Sequence, residues 1–149
     1  MMAQAIPKIT APRSRLLYVQ EDFVAIALDE QLVAGRTDLM LLRALDLEHG
    51  LTLARSHQPE VILIDLNLPG MPAVEFMKRL HAEADTATTP ILALGASSTP
   101  ADSVRALEAG FFLYLAKPLR ATPFLEALAY ALEFAAVERD ERNPLKEPR

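Results

Sequence analysis

The chain has 149 residues, about half of them hydrophobic, a formal net charge of −5 and no cysteine. That length and apolar content suit one domain with a proper core and would leave two cramped. The missing cysteines exclude a disulfide framework and thiolate chemistry; His49, His57 and His81 show no metal-ligand spacing, which excludes a structural zinc site. No apolar run reaches membrane-spanning length, no secretory leader pattern opens the chain and no basic cluster offers the footprint that phosphates need. The expectation is a cytoplasmic protein whose partners are proteins or a metal ion, with no nucleic acid and no membrane.

In chain order, Met1 to Ser14 is polar and proline-punctuated, the composition of a disordered tail. The first apolar run, Leu16-Leu17-Tyr18-Val19, belongs to a strand opening at Arg15 and stops at Gln20-Glu21-Asp22. Phe23 to Ala34 reads as a helix closed by Gly35. Leu39-Met40-Leu41-Leu42 is the second run, and Asp46 to His57 the second helix. Val61-Ile62-Leu63-Ile64 then leads directly into Asp65 and, through Leu66-Asn67-Leu68, into Pro69-Gly70. A short apolar run without polar alternation reads as a strand buried on both faces. A helix from about Ala73 to Ala84 follows, with Val74, Met77, Leu80 and His81 on one side. Ile91 to Leu94 is the fourth run. Thr99-Pro100-Ala101-Asp102 supplies a capping hydroxyl, a proline in the first turn and an acid near the positive end of a helix that stops at Gly110. Phe112 to Ala116 makes a fifth strand, Thr122-Pro123 opens the last helix, and residues 140–149 read as a flexible tail.

Short apolar runs alternating with helices imply repeated βαβ units, a parallel sheet and helices on both faces. The expected fold is therefore α/β: a flavodoxin-like (βα)5, doubly wound five-stranded sheet in the order 2-1-3-4-5. Ligands in such sheets bind at the carboxyl ends of the strands, where strand order reverses. This topology sets Gln20, Glu21 and Asp22 beside Asp65 and places Lys117 on the same edge. An Asp at that position can also simply cap its own turn. With Lys117 nearby, the grouping suits magnesium-assisted phosphoryl transfer to a carboxylate: Glu21, Asp65 and the backbone carbonyl of Asn67 would hold Mg²⁺, Asp65 would be the nucleophile, and Lys117 would meet the phosphoryl oxygens.

Leu16-Leu17-Tyr18-Val19-Gln20-Glu21-Asp22, Ile62-Leu63-Ile64-Asp65-Leu66-Asn67-Leu68-Pro69-Gly70-Met71, Ala109-Gly110-Phe111-Phe112 and Tyr114-Leu115-Ala116-Lys117-Pro118 resemble the receiver domains of bacterial two-component response regulators. The resemblance spans about residues 15–139. It implies that a histidine kinase or phosphotransfer protein donates a phosphoryl group to Asp65, that Mg²⁺ binds beside it, and that Lys117 precedes a proline, Pro118, in a bond that is often cis.

The sequence also departs from that pattern. The family's adjacent acids after the first strand are matched by Gln20 and Glu21; a one-residue slip would make the pair Glu21 and Asp22, with Asp22 as a further candidate ligand. Where the family carries a serine or threonine after the fourth strand, this chain has Gly95 followed by Ala96. Their backbone N–H groups, or the hydroxyls of Ser97 or Ser98, are the remaining donors. Tyr114 occupies the family's aromatic switch position with its hydroxyl partner gone, which removes one contact that could distinguish two states. Pro72 and Ala73 replace the family's usual Asp-Gly, so the start of the third helix is expected to differ.

Only ten residues follow Arg139, so a stand-alone domain acting through partners is expected. In the last helix Phe124, Leu125, Leu128, Leu132 and Ala135 form one apolar stripe, and Tyr130, Phe134 and Val137 a second. The second stripe is the candidate interface to a downstream protein or a second copy, through the face made by the fourth helix, fifth strand and fifth helix. The expected function is a single-domain response regulator, not an enzyme beyond its own phosphorylation and dephosphorylation. The alternative is a pseudo-receiver that docks proteins irrespective of phosphorylation, an alternative that Gln20 and Gly95 favour.

Overall fold

Residues 13–141 are described by the computed structural model, and within them strands and helices alternate as β1 (Ser14–Val19), α1 (Phe23–Glu30), β2 (Leu39–Ala44), α2 (Leu47–His57), β3 (Val61–Asp65), α3 (Ala73–His81), β4 (Ile91–Gly95), α4 (Pro100–Ala109), β5 (Leu113–Ala116) and α5 (Ala121–Glu141). All neighbouring strands pair in parallel in the order β2-β1-β3-β4-β5, as expected. The two-residue repeat of each strand sends alternate side chains to opposite faces. Leu16, Tyr18, Val61, Leu63, Leu92 and Leu94 meet Ile26 of α1 and Phe124, Ala127, Leu128 and Ala131 of α5. Leu17, Val19, Ile62, Ile64, Ile91 and Ala93 meet Leu47, Leu51 and Ala54 of α2, Phe76, Met77 and Leu80 of α3, and Ala106 of α4. Each fully buried Leu or Ile of this kind contributes about 1.5–3 kcal/mol relative to exposure.

Several expected boundaries shift. The expected tails at 1–14 and 140–149 lie largely outside the described residues, but Ser14 belongs to β1, its N–H donating to the Asp38 carbonyl at 2.9 Å, and Asp140 and Glu141 continue α5. An ion pair between Arg139 and Glu60 at 2.9 Å ties the end of that helix to the body. Helix α1 ends at Glu30 and not at Ala34, because the chain tightens into a 3-10 turn over Gln31–Val33 that satisfies late carbonyls by shorter-range bonds. Gly35 therefore does not close it. Helix α3 ends at His81 instead of Ala84: the buried Thr86 hydroxyl donates to the Leu80 carbonyl at 2.5 Å and replaces a further helical turn. Its inward side is Phe76, Met77 and Leu80. Val74, expected on that side, is 36% exposed, and His81 is half-buried with Nε2 2.9 Å from the Thr89 carbonyl.

Phe76, missing from the expected stripe, is completely buried in the larger core cluster. Truncation to Ala removes an aromatic ring that α2, α3 and the sheet enclose together. Phe76→Ala is expected to destabilise the fold by about 3–5 kcal/mol, read in urea as a lower midpoint at an unchanged slope.

Candidate functional site

Strand β3 is flanked by β1 and β4, and its residues Val61 to Ile64 are fully buried. It delivers Asp65 to the carboxyl edge of the sheet with 4% of its surface exposed. A carboxylate this buried requires donors. Lys117 Nζ donates to Oδ2 at 2.7 Å, Gln20 Nε2 donates to the same oxygen at 2.8 Å, and the Asn67 N–H donates to Oδ1 at 2.9 Å. The last bond is an Asx-type turn, so Asp65 caps its own loop while also holding the lysine. Pro69-Gly70 closes that loop, with Gly70 at φ 90°, a conformation that side chains with a Cβ disfavour. Lys117 is anchored by its own N–H, which donates to the Gly95 carbonyl at 2.8 Å, and it precedes Pro118 across a cis peptide bond.

The residues after β1 divide their roles. Gln20 is 4% exposed; its Oε1 accepts from the Asp22 N–H at 3.1 Å while its amide nitrogen reaches Asp65. Asp22 spends its carboxylate on the N-terminus of α1, accepting from Val24 and Ala25 N–H at 2.8 and 3.3 Å. Glu21 is exposed. Among the described residues no three His, Asp or Glu side chains converge as a ready-made cation cage. Mg²⁺ generally takes one or two carboxylates and keeps several waters. Glu21, Asp65 and the Asn67 carbonyl supply hard oxygens of that kind, so the donor chemistry fits, with one negative charge fewer because Gln20 is an amide.

Two features escaped sequence reasoning. Tyr18, two residues before Gln20 and so on the same strand face, is buried and donates its hydroxyl to Asp29 Oδ2 of α1 at 2.6 Å. It also interacts with Gln20, which joins Asp29, Tyr18, Gln20, Asp65 and Lys117 into one polar chain. Burial first, then the bond to Asp29, pushes the Tyr18 hydroxyl well above its usual value. Burial also raises Asp29, against the downward pull of the Tyr18 bond and the Lys117 charge. The spacing of Tyr18 and Gln20 signals a shared face; nothing in Leu28-Asp29-Glu30 marks Asp29 as turned inward. The second feature is how Tyr114, itself expected at the switch position, is seated: its ring lies against Gly95 and its hydroxyl donates to the Ser97 carbonyl at 2.5 Å. The Ser97 hydroxyl is occupied with Thr99 at the start of α4, and Ser98 and Ala96 are exposed.

Residues 16–129 match the response regulator receiver domain family. The chain belongs to that family. Curated relatives of this receiver include the alkaline phosphatase synthesis transcriptional regulatory protein SphR of Synechococcus elongatus, 31% identical over 96% of this chain and 56% of the relative. The polar-differentiation response regulator DivK of Brucella ovis is 32% identical over 52% of this chain and 63% of its own length. The receiver thus spans somewhat more than half the length of the curated relatives it matches. Among solved structures, a putative response regulator from Chloroflexus aurantiacus is 27% identical with a TM-score of 0.70, covering 83% of this chain and 98% of that one. The chemotaxis response regulator CheY4 of Vibrio cholerae, 23% identical with a TM-score of 0.72 over 80% of this chain and 99% of its own, shares the fold. Receivers are signalling domains of two-component systems and not classical enzymes.

The raised Tyr18 value makes a prediction about alkaline stability. Because the folded value lies above the unfolded one, the native chain keeps a proton that the unfolded chain loses above about pH 10. Stability falls as pH rises through that window, by up to about 1.4 kcal/mol per pH unit. Urea titrations across this range should show a steeper loss for the unaltered chain than for Tyr18→Phe. At neutral pH that variant should be weaker by roughly 0.5–1.5 kcal/mol for the lost hydrogen bond.

Proposed function

We propose that this receiver accepts a phosphoryl group on Asp65 from the phosphohistidine of a histidine kinase or phosphotransfer protein, in the cytoplasm, and signals through protein contacts. The observation that carries this reading is the buried Asp65 carboxylate with Lys117 Nζ at 2.7 Å. A carboxylate oxygen of Asp65 forms the new bond to phosphorus as the donor's nitrogen–phosphorus bond breaks, and the electron pair leaves with the imidazole. Lys117, one-third exposed, is free to follow charge from the carboxylate to the phosphoryl oxygens as they develop. Gln20 and the Asn67 N–H orient the carboxylate throughout. Mg²⁺ bound by Glu21, Asp65 and the Asn67 carbonyl would offset the negative charge brought together at this edge.

The proposed partner surface lies on α5 and β5. Tyr130 and Val137 are 62% and 50% exposed, and Phe134 stands between them with its ring centroid 5.2 Å from that of Phe112. With Leu113 they line a shallow apolar groove open to a downstream protein or to a second copy. A second reading, a module that docks irrespective of phosphorylation, is favoured by one observation: three donors of the chain itself, Gln20, Lys117 and the Asn67 N–H, already satisfy Asp65.

Intact-protein mass after incubation with Mg²⁺ and acetyl phosphate separates the two. A phosphoryl adduct that disappears in Asp65→Ala and in EDTA is the expected result. A folded chain that stays unmodified, including with candidate kinases, leaves the docking module. In calorimetric titration Gln20→Asp should bind Mg²⁺ about tenfold more tightly, or about 1.4 kcal/mol, because it restores an acid beside the cation.

A further inference from the structure

Gly95 is the last residue of β4 and is buried. A Cβ placed there would fall 2.8 Å from both Cε2 and Cζ of Tyr114, and closer still to its hydroxyl oxygen. Folded side chains do not tolerate such approaches; the ring occupies the volume that any other residue at position 95 would fill. Once seated, Tyr114 donates to the Ser97 carbonyl at 2.5 Å. The Ser97 hydroxyl bonds Thr99, and Thr99 Oγ1 accepts from the Asp102 N–H as the cap of α4. Tyr114 therefore ties β5 to the start of α4, and it packs against the larger core cluster.

We infer that Gly95 holds Tyr114 permanently in this inward seat, so that the face formed by α4, β5 and α5 keeps one arrangement whatever the state of Asp65. A chemical event shifts an equilibrium only as far as it contacts two states differently. For Asp65 to move Tyr114, a group at the end of β4 would have to compete for the ring's place in one state and vacate it in the other. Gly95 has no such group: no Cβ to obstruct the ring, no hydroxyl to be drawn toward a phosphoryl oxygen. The hydroxyls next along the chain do not replace it, since that of Ser97 is engaged at the cap of α4 and Ser98 is exposed. The inference rests on the proposed phosphoacceptor role only in its consequence. If Asp65 is modified, the change is read by partners at the edge around Asp65 and Ala96, while Tyr130, Phe134 and Val137 dock in either state.

The test uses 3-fluorotyrosine, because the chain has only Tyr18, Tyr114 and Tyr130 to label, and each resonance is assigned from its Phe variant. Fluorine spectra of the full chain are recorded with and without Mg²⁺ and acetyl phosphate, adduct formation being followed by mass. The expected result is a Tyr114 resonance that does not move when the adduct forms and stays shielded from a soluble paramagnetic agent. Tyr18 beside Gln20 serves as the internal reporter of change at Asp65. Gly95→Thr and the smaller Gly95→Ala should expel the ring, shift the Tyr114 resonance and increase its paramagnetic broadening several-fold, with circular dichroism confirming the fold. A Tyr114 resonance that moves with the adduct in the unaltered chain, or one that stays shielded in folded Gly95→Thr, overturns the lock. Absence of any adduct removes the phosphoacceptor reading instead, and the Gly95 variants then decide the lock alone.

Discussion

Asp65 sits where the fold forces a charge into the interior. The central strand that carries it is buried on both faces along its whole length, so the residue ending it emerges between β1 and β4 with 4% of its surface exposed. Placing an unpaired carboxylate there would cost several kcal/mol, and the surrounding loops are arranged around avoiding that cost. Each donor comes from a different part of the chain: Gln20 from the end of β1, Asn67 from the loop after β3, and Lys117 from the end of β5. Lys117 has the longest way to come, since β4 lies between its strand and β3. Register closes that gap, with Gly95 paired to Ala116 and the Lys117 N–H bonded to the Gly95 carbonyl. The parallel sheet thus converts distant sequence positions into one compensated carboxylate.

That compensation extends inward along β1. Alternation puts Tyr18 and Gln20 on one face, and α1 lays Asp29 over Tyr18, so the polar chain starting at Lys117 ends on a helix packed on the sheet. Burial raises both Tyr18 and Asp29; the phenol stays protonated and donates to Asp29, and that hydrogen bond holds α1 at this end. Among the described residues no buried side-chain polar atom lacks a partner. A network satisfied in this way is rigid, because moving any member leaves another unpaired.

Fold class and strand order could be read from the sequence because they depend on pattern: apolar runs too short for helices, separated by helices with recognisable starts and stops. Thr99-Pro100 and Gly110 bound α4 as expected because capping chemistry is local. Helix ends set by tertiary contacts were not legible. Thr86 reaches back to the Leu80 carbonyl only once the chain has folded over it, and α1 tightens to a 3-10 turn with no residue to announce it. At the site, Gln20 could be recognised as a missing acid but not as a donor to Asp65, since that depends on which way its amide turns. Asp29 carries no sequence mark of burial at all. Gly95 likewise looks the same whether it makes room for a turn or for a tyrosine ring.

Two of the departures from the family pattern, Gln20 and Gly95, share a physical direction. An acid at position 20 would repel Asp65 and call for a cation to hold them together; the amide donates to Asp65 and needs none. A hydroxyl-bearing side chain at position 95 would contest the space of Tyr114; glycine concedes it. In both places an interaction that would depend on an incoming ligand is replaced by one internal to the chain. Internal contacts form whether or not the ligand is bound, so they favour the same arrangement in both cases and add nothing to the differential contacts that a ligand can exploit. The chemistry of Asp65 and the geometry of the α4–β5–α5 face are therefore less tightly coupled here than an acid and a hydroxyl at these two positions would make them. Lys117 still pairs with Asp65 at 2.7 Å, so the charge arrangement of that edge is kept while the coupling is reduced.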